Sequence, residues 1–478
     1  MKQEHYTPGL DINQIVANAT KAADEFRRYN QNDTDRITEA VYRAGFNNRI
    51  HLAKLTHSET KLGKWEDKVI KNVIATQFVY DDIKDVKTVG AISEDREQHI
   101  VEIAEPVGPI CAVTPITNPS STVLFKTLIA MKSRNPIIFR PHSSAKKCST
   151  EAARIAYEAA REAGAPEHCI QWIKKSTNKE LQILMGHKGI SLILATGSVS
   201  LVRAAQTSGN PAIGIGPGNV PVYIGRSADV PFAVEQIMLS KTFDHGTVCA
   251  SEQAIVANQH NVDKVIEEFR KRKAYFLSKD EIKKLEPVAF NQIDKVMRVE
   301  VVGQPAPVIA QMAGIKVPSN TSVLIAPLEE VGLQSPLSLE ILAPILAFYT
   351  AQDFESAIEL CRQINRHGGM GHTASIFSNL PDKIEYFAAV MNAGRILVNT
   401  PASQGAMGGT YNKLQPSLML ACGTSGKNIT TDNISVQHLL NIRRIAWRKV
   451  NPLFDGTDAH SFLDETLEID TSEEGNTG

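Results

Sequence analysis

Six cysteines in 478 residues (Cys111, Cys148, Cys169, Cys249, Cys361 and Cys422) lie scattered with no CxxC pair, which argues against a disulfide framework and a zinc ribbon alike. No apolar run approaches the roughly 20 residues that span a bilayer. Nothing near Met1 couples a basic segment to an apolar one. The expectation is a cytoplasmic protein with reduced thiols, neither secreted nor membrane-bound. Neither sign of charge dominates, 51 Lys plus Arg facing 52 Asp plus Glu, so there is no electrostatic footprint for nucleic acid and the partner is expected to be a small molecule. Two motifs are also missing. His367 and His372 stand five apart without HExxH, so no metal is expected, and the run GIGPGN at Gly214 to Asn219 lacks the sixth-position glycine of a dinucleotide fingerprint.

What is present suits a multidomain α/β protein. The chain is too long for one hydrophobic core, and 42% of it is apolar. From Asp11 to Lys71 apolar residues recur at spacings of three and four, as in INQIVANATKAADEF, predicting helices. After Val86 come strand-like runs, HIVEIAEPVG, PICAVTPI, IIFRP, SLILAT, IGIG and VPVYI, separated by helical stretches. A helix from Ala145 to Ala163 is marked by Ser143 or Ser144 as N-cap and by Gly164 and Pro166 beyond its end. A second α/β region opens with the helix AVEQIMLSKTF and closes near NAGRILVNTPASQG. From Asp455 to Gly478 eight acidic residues and no Lys or Arg predict a solvated, disordered end.

Several residues could carry chemistry. Cys249, in KTFDHGTVCASEQAIV, is either a core thiol or a nucleophile. Asn118, in AVTPITNPSS, follows an apolar strand in a Pro-bounded turn, where it is either a turn residue or an amide aimed at an oxyanion. Glu340 is an acid inside the apolar run SLEILAPIL and needs a partner or a ligand. Thr196, Gly197 and Ser198 lead from a strand into a helix, where free N–H groups can meet a phosphate. In IIFRPH a strand ends at Arg140 and His142, either a plain strand end or a contact to ribose or phosphate.

The segments VTPITNPSS, FRPH, ATGS, GIGPGN, FDHGTVCASEQ, SLEILAP, GGMGHT and VNTPASQG stand in the order and approximate spacing of the aldehyde dehydrogenase superfamily. Over roughly residues 11–450 the chain resembles its CoA-acylating branch, and within that the acetaldehyde dehydrogenase half of bifunctional aldehyde/alcohol dehydrogenases. The resemblance implies a Rossmann-like NAD domain over 1–233, with an oligomerisation hairpin at about 95–108. It further implies a catalytic domain over 234–405 and a return segment with an oligomerisation strand over 406–450, before the tail at 451–478. HIVEIAEPVG would pair with NISVQHLL, and a homo-oligomer is expected. Cys249 then matches the nucleophile, Asn118 the oxyanion donor, and His372 a histidine with an acid/base role. Glu340 matches the acid on the nicotinamide-side ribose. Arg140, His142, Gly197 and Ser198 fall on the adenosine side, while Thr114, Pro115, Asn118, Gly216 and Leu420 border the same cofactor.

Two departures carry weight. Hydrolytic members have a Glu-Leu-Gly-Gly run whose Glu activates water; here GIGPGN takes its place, so coenzyme A is the expected acyl acceptor. His245 stands where relatives usually carry Asn. The expected reaction interconverts acetaldehyde, CoA and NAD with acetyl-CoA and NADH through a thioester on Cys249. The alternatives are the same chemistry on succinate semialdehyde or sulfoacetaldehyde, and a catalytically idle assembly subunit. The bifunctional relatives continue into an iron-dependent alcohol dehydrogenase half that the sequence ending at Gly478 does not contain.

Overall fold

The periodic N-terminal segment forms the helices Ile12–Phe26, Gln31–Asn47, Arg49–Thr60 and Trp65–Val73. A computed structural model describes residues 12–173, 177–450 and 463–466. The acidic tail therefore lies almost wholly outside the described residues; within it, 463–466 are exposed.

Strands β1 (Gly90–Asp95) and β2 (Ile100–Pro106) form an antiparallel hairpin. Five parallel strands follow, β3 (Ile110–Val113), β4 (Ile137–Arg140), β5 (Ile170–Trp172), β6 (Leu192–Thr196) and β7 (Ala212–Ile215). Their order across the sheet is β5-β4-β3-β6-β7. The chain thus winds outward from β3 in one direction and then, from β6, in the other, which leaves a crevice outside the carboxyl ends of β3 and β6. The helix Pro119–Lys132 packs on this sheet with every residue buried, including Lys126, whose ammonium donates to the Val113 and Leu194 carbonyls at 2.8 and 2.9 Å.

A second sheet is built from β8 (Val220–Ile224), β9 (Glu252–Asn258), β10 (Ala274–Phe276), β13 (Val323–Pro327), β14 (Ile345–Ala351), β15 (Gly371–Phe377) and β16 (Ala393–Val398), with the two-residue pair β11 (Phe290–Asn291) and β12 (Val296–Met297) beside it. All seven strands run parallel, in the order β10-β13-β14-β9-β8-β15-β16. The inner strands are covered on both faces: every residue of β9 and of β15 is buried. The sheet takes in Val220–Ile224, upstream of the boundary expected at residue 234; an apolar run carries no mark of which sheet it joins.

Two local expectations change. The strand completing the small sheet is β17 (Leu440–Ala446), paired with β2, and not NISVQHLL. Most of that segment precedes the strand: Val436–Leu439 is a turn of 3-10 helix in which His438 Nδ1 accepts from the Ser435 amide at 3.1 Å, and Ile434, Val436 and Leu439 bury in the first core. The helix Lys146–Glu162 begins at Ala145 without a serine cap. Glu59 caps it instead, accepting from the Lys147 and Cys148 amides at 2.9 and 2.8 Å. Among the described residues no helix is long and apolar enough to cross a membrane.

Candidate active site

The helix Val230–Thr242 ends in a tight turn before β9, and Cys249 sits in the link between them. Asp244, His245 and Gly246 take successive positive φ values of 50, 51 and 75°. A side chain at Gly246 would stand 2.8 Å from the Ala343 carbonyl oxygen, so only glycine fits there. Asn, Asp and His are the side chains best tolerated in left-handed backbone, which explains how His245 can occupy a position expected to hold Asn. Burial, with the charge of Lys64 second, pushes the His245 imidazole down to about 4.

Val248 and Ala250 are buried with Leu420, Ile74, Val220 and Leu397, and this packing grips the chain on both sides of Cys249. Cys249 alone among the six cysteines is not buried. Its thiol is nevertheless poorly solvated: burial, and next the charge of Glu340, push it up to about 12. In the ligand-free protein, alkylation of Cys249 should therefore still accelerate with pH up to about pH 10 without levelling, and should be faster in Glu340→Gln above about pH 8, where the Glu340 carboxylate is charged. Peptide mass spectrometry after iodoacetamide treatment reads this directly; a plateau below about pH 9 would contradict it.

Asn118 stands at the N-terminus of the helix Pro119–Lys132. Its Oδ1 accepts from Lys71 Nζ at 2.6 Å, and the same ammonium donates to Thr247 Oγ1 at 2.9 Å, two residues before Cys249. One cation thus joins the Asn118 turn of the first sheet to the cysteine loop of the second.

On the other side, Glu340 accepts from the Gly218 amide at 2.8 Å. Burial pushes its carboxyl up to about 8 against the opposing effects of that amide and of Lys241. Gln253 Oε1 accepts from Lys241 Nζ at 3.0 Å and from the Ile341 amide at 3.1 Å, tying the Glu340 segment to β9. Gly218 of GIGPGN is crowded: a Cβ there would run into the Cys249 carbonyl oxygen and lie 3.1 Å from His372 Cγ. Gly216, by contrast, faces open space. His372 is fully buried. Its Nδ1 pairs with Thr373 Oγ1 at 2.9 Å and its Nε2 has no hydrogen-bond partner. Burial and the neighbouring Arg395 push the imidazole down to about 3, which keeps it neutral near pH 7. Arg395 donates to the His372 and Ala421 carbonyls at 2.6 and 2.8 Å, joining β15 to the return segment that carries Leu420.

The remaining expected contacts gather at the crevice. Thr114 and Pro115 follow β3, with the Thr114 amide donating to the Arg140 carbonyl at 3.2 Å, and Arg140 and His142 close β4. Gly197 and Ser198 follow β6, and Ser198 accepts from the Leu201 amide at 3.4 Å as the cap of the helix Val199–Gln206. Arg140 Nε is buried without a hydrogen-bond partner.

A model of the aldehyde dehydrogenase family matches residues 5–411. The chain belongs to the aldehyde dehydrogenase family. It is 43% identical over 448 residues to the bifunctional aldehyde-alcohol dehydrogenase AdhE of Escherichia coli, covering 93% of this chain and 50% of that protein. The chain thus spans about half the length of the bifunctional relatives it matches. It is 33% identical to the acetylating succinate-semialdehyde dehydrogenase of Clostridium kluyveri, covering 92% of this chain and 96% of that one. Its fold superposes with a TM-score of 0.90 on the crystal structure of an acetylating aldehyde dehydrogenase from Geobacillus thermoglucosidasius, 44% identical, covering 92% of this chain and 97% of that one. The expected fold, a Rossmann-like sheet beside an α/β catalytic sheet, is the fold of this family.

Within the family frame, sequence reading missed Lys68, Lys71, Asp244, Lys241 and Arg395. The lysines of WEDKVIKNV read as the polar face of an amphipathic helix, whereas Lys241 and Asp244 lay in KTFDHGTVCASEQAIV and Arg395 in NAGRILVNTPASQG, segments already singled out for other residues.

Proposed function

We propose that this chain is a nicotinamide-dependent, CoA-acylating aldehyde dehydrogenase acting on acetaldehyde, in either direction between aldehyde and acetyl-CoA. The observation that carries this reading is the run GIGPGN. It passes the cysteine loop with no carboxylate of its own to activate water, and at Gly218 its bare backbone lies against the Cys249 carbonyl and the His372 ring.

The residues present fit a dinucleotide. The crevice at the reversal of strand order, the unpartnered Arg140 Nε at its rim and the Glu340 carboxyl beside Cys249 suit a ligand with ribose hydroxyls at both ends. NAD, and not its phosphorylated form, is the cofactor that the resemblance to the acylating branch implies. When bound, the nicotinamide accepts the hydride that leaves the substrate carbon. The chain's own groups do the rest. The Cys249 thiol gives up its proton to solvent, the thiolate sulfur bonds to the aldehyde carbon, and the Asn118 amide donates to the oxygen as it gains charge. Loss of hydride leaves a thioester on Cys249. A CoA thiolate then attacks the acyl carbon, and the Cys249 thiolate departs. His372 is too weak a base to carry the thiol proton away by itself, and the thiol's own ionisation supplies the nucleophile. Exposed faces of β1 and β17 support assembly into a homo-oligomer.

The test is steady-state NADH formation with CoA present, with the product identified by mass. Acetyl-CoA from acetaldehyde is expected, with NAD preferred over NADP. Higher kcat/KM on succinate semialdehyde or sulfoacetaldehyde would move the substrate assignment. No NADH with any of these aldehydes would leave an idle subunit.

A further inference from the structure

The helix Trp65–Val73 buries two lysines, Lys68 and Lys71, with side chains 3% and 2% exposed, against a fully buried Asp244. Both ammonium groups reach Asp244 Oδ2, at 2.8 and 2.5 Å. Asp244 Oδ1 accepts from the Lys64 amide at 2.7 Å, and the Asp244 amide donates to Asp67 Oδ2 at 2.8 Å. Burial alone would push the Asp244 carboxyl up, but Lys71 and Lys68 outweigh it and hold it at about 2. A Cβ on Gly63 would run into the same carboxylate.

Such a cluster is an expensive way to fill a protein interior. Desolvating two ammonium groups and a carboxylate costs several kcal/mol per ion, and apolar side chains of equal volume are often as stabilising. The cluster converges on the two elements the chemistry needs. Lys71 Nζ spends its three hydrogens on Asp244 Oδ2, Asn118 Oδ1 and Thr247 Oγ1, the last two at 2.6 and 2.9 Å. Thr247 Oγ1 in turn donates to Asp244 Oδ2 at 2.7 Å. The Phe243 ring lies 5.6 Å from the ammonium.

Burial pulls Lys71 down to about 8 against the charge of Asp244, so below that pH it is an ammonium, with donors and no acceptor. Only the oxygen end of the Asn118 amide can face it, so the NH₂ end must turn away from Lys71. There the nitrogen donates to Thr117 Oγ1 at 3.3 Å, which uses one of its two hydrogens. Accepting a bond from a cation also draws electron density from the amide and strengthens its N–H as a donor.

We infer that Lys71, anchored by Asp244, is the positioning residue of the oxyanion site: it orients the Asn118 amide and ties it to the loop that carries Cys249. The inference rests on the reading of Asn118 as oxyanion donor given above. It extends the site to a third element, the N-terminal helices, which otherwise serve as scaffold.

The experiment is a double-mutant cycle on the full chain, reading kcat, KM for acetaldehyde and NAD affinity for wild type, Lys71→Met, Asn118→Ala and the pair. Lys71→Met should lower kcat about ten- to a hundredfold while KM and NAD affinity move about threefold or less. Lys71→Gln, which keeps an N–H donor without the charge, should recover part of the loss and serves in the cycle if Lys71→Met does not fold. In the Asn118→Ala background, removing Lys71 should cost little more, because the group it orients is already gone. Unchanged kcat in the Lys71 variants, or full additivity with Asn118→Ala, would overturn the inference. An inactive wild type, or an Asn118→Ala variant as fast as wild type, would instead overturn the underlying reading of the site.

Discussion

Cys249→Ala is expected to lower NADH formation from acetaldehyde by about 10⁴-fold or more, while NAD still binds. The size of the effect follows from the role: the sulfur forms the bond to substrate, and no neighbouring group replaces it. The other cysteines are buried, Cys422 included, and burial pushes its thiol up to about 11. The substitution itself should be benign for folding. Val248 and Ala250 hold the loop by their own packing, and Cys249 is only half-buried, so losing its sulfur opens no core cavity. Fluorescence titration with NADH and a thermal melt on the same preparation separate a lost nucleophile from a lost fold. Residual turnover above about one per cent would assign the covalent step elsewhere.

Withholding CoA should have a comparable effect, by a different cause. With NAD and acetaldehyde alone, about one NADH per site should appear rapidly and turnover should then stop, since the thioester on Cys249 has no acceptor. Adding CoA should restore continuous turnover. Water is a poor nucleophile without a positioned base, and the run GIGPGN beside the cysteine loop supplies no carboxylate. Glu340 is the carboxyl nearest in effect to Cys249, but one of its oxygens is held by the Gly218 amide, and it is half protonated near pH 8. Stopped-flow absorbance with product analysis decides the point. Sustained release of acetate without CoA would mean that Glu340, or another group, serves as the hydrolytic base.

Much of the architecture was legible because its causes are local. Strand and helix alternate with the period of the apolar residues, and SLILATGSVSLVRAA becomes β6, a turn and the helix Val199–Gln206 just as its caps and breakers require. The eight motif segments named the family for the same reason: each is a short run whose residues serve one turn or one contact. Where local signals were weak or double, reading went astray. Ser143 and Ser144 are good caps, yet Glu59, from the helix Arg49–Thr60, took the position. NISVQHLL alternates well enough for a strand, yet its apolar residues were needed in the first core.

The sequence by itself determined the fold class, the cysteine loop, and the absence of a carboxylate at GIGPGN, because all three are written in side-chain identity and short-range periodicity. The tertiary structure alone decided the electrostatics of the site. A lysine on an amphipathic helix costs nothing until another element covers it, and Lys71 meets Asp244 only across a sequence separation of 173 residues. The same holds for His372, whose neutrality comes from complete burial beside Arg395, and for Glu340, raised by desolvation against a single amide. Desolvation and ion pairing are properties of surroundings, and the surroundings of these groups are assembled from both sheets and the N-terminal helices at once.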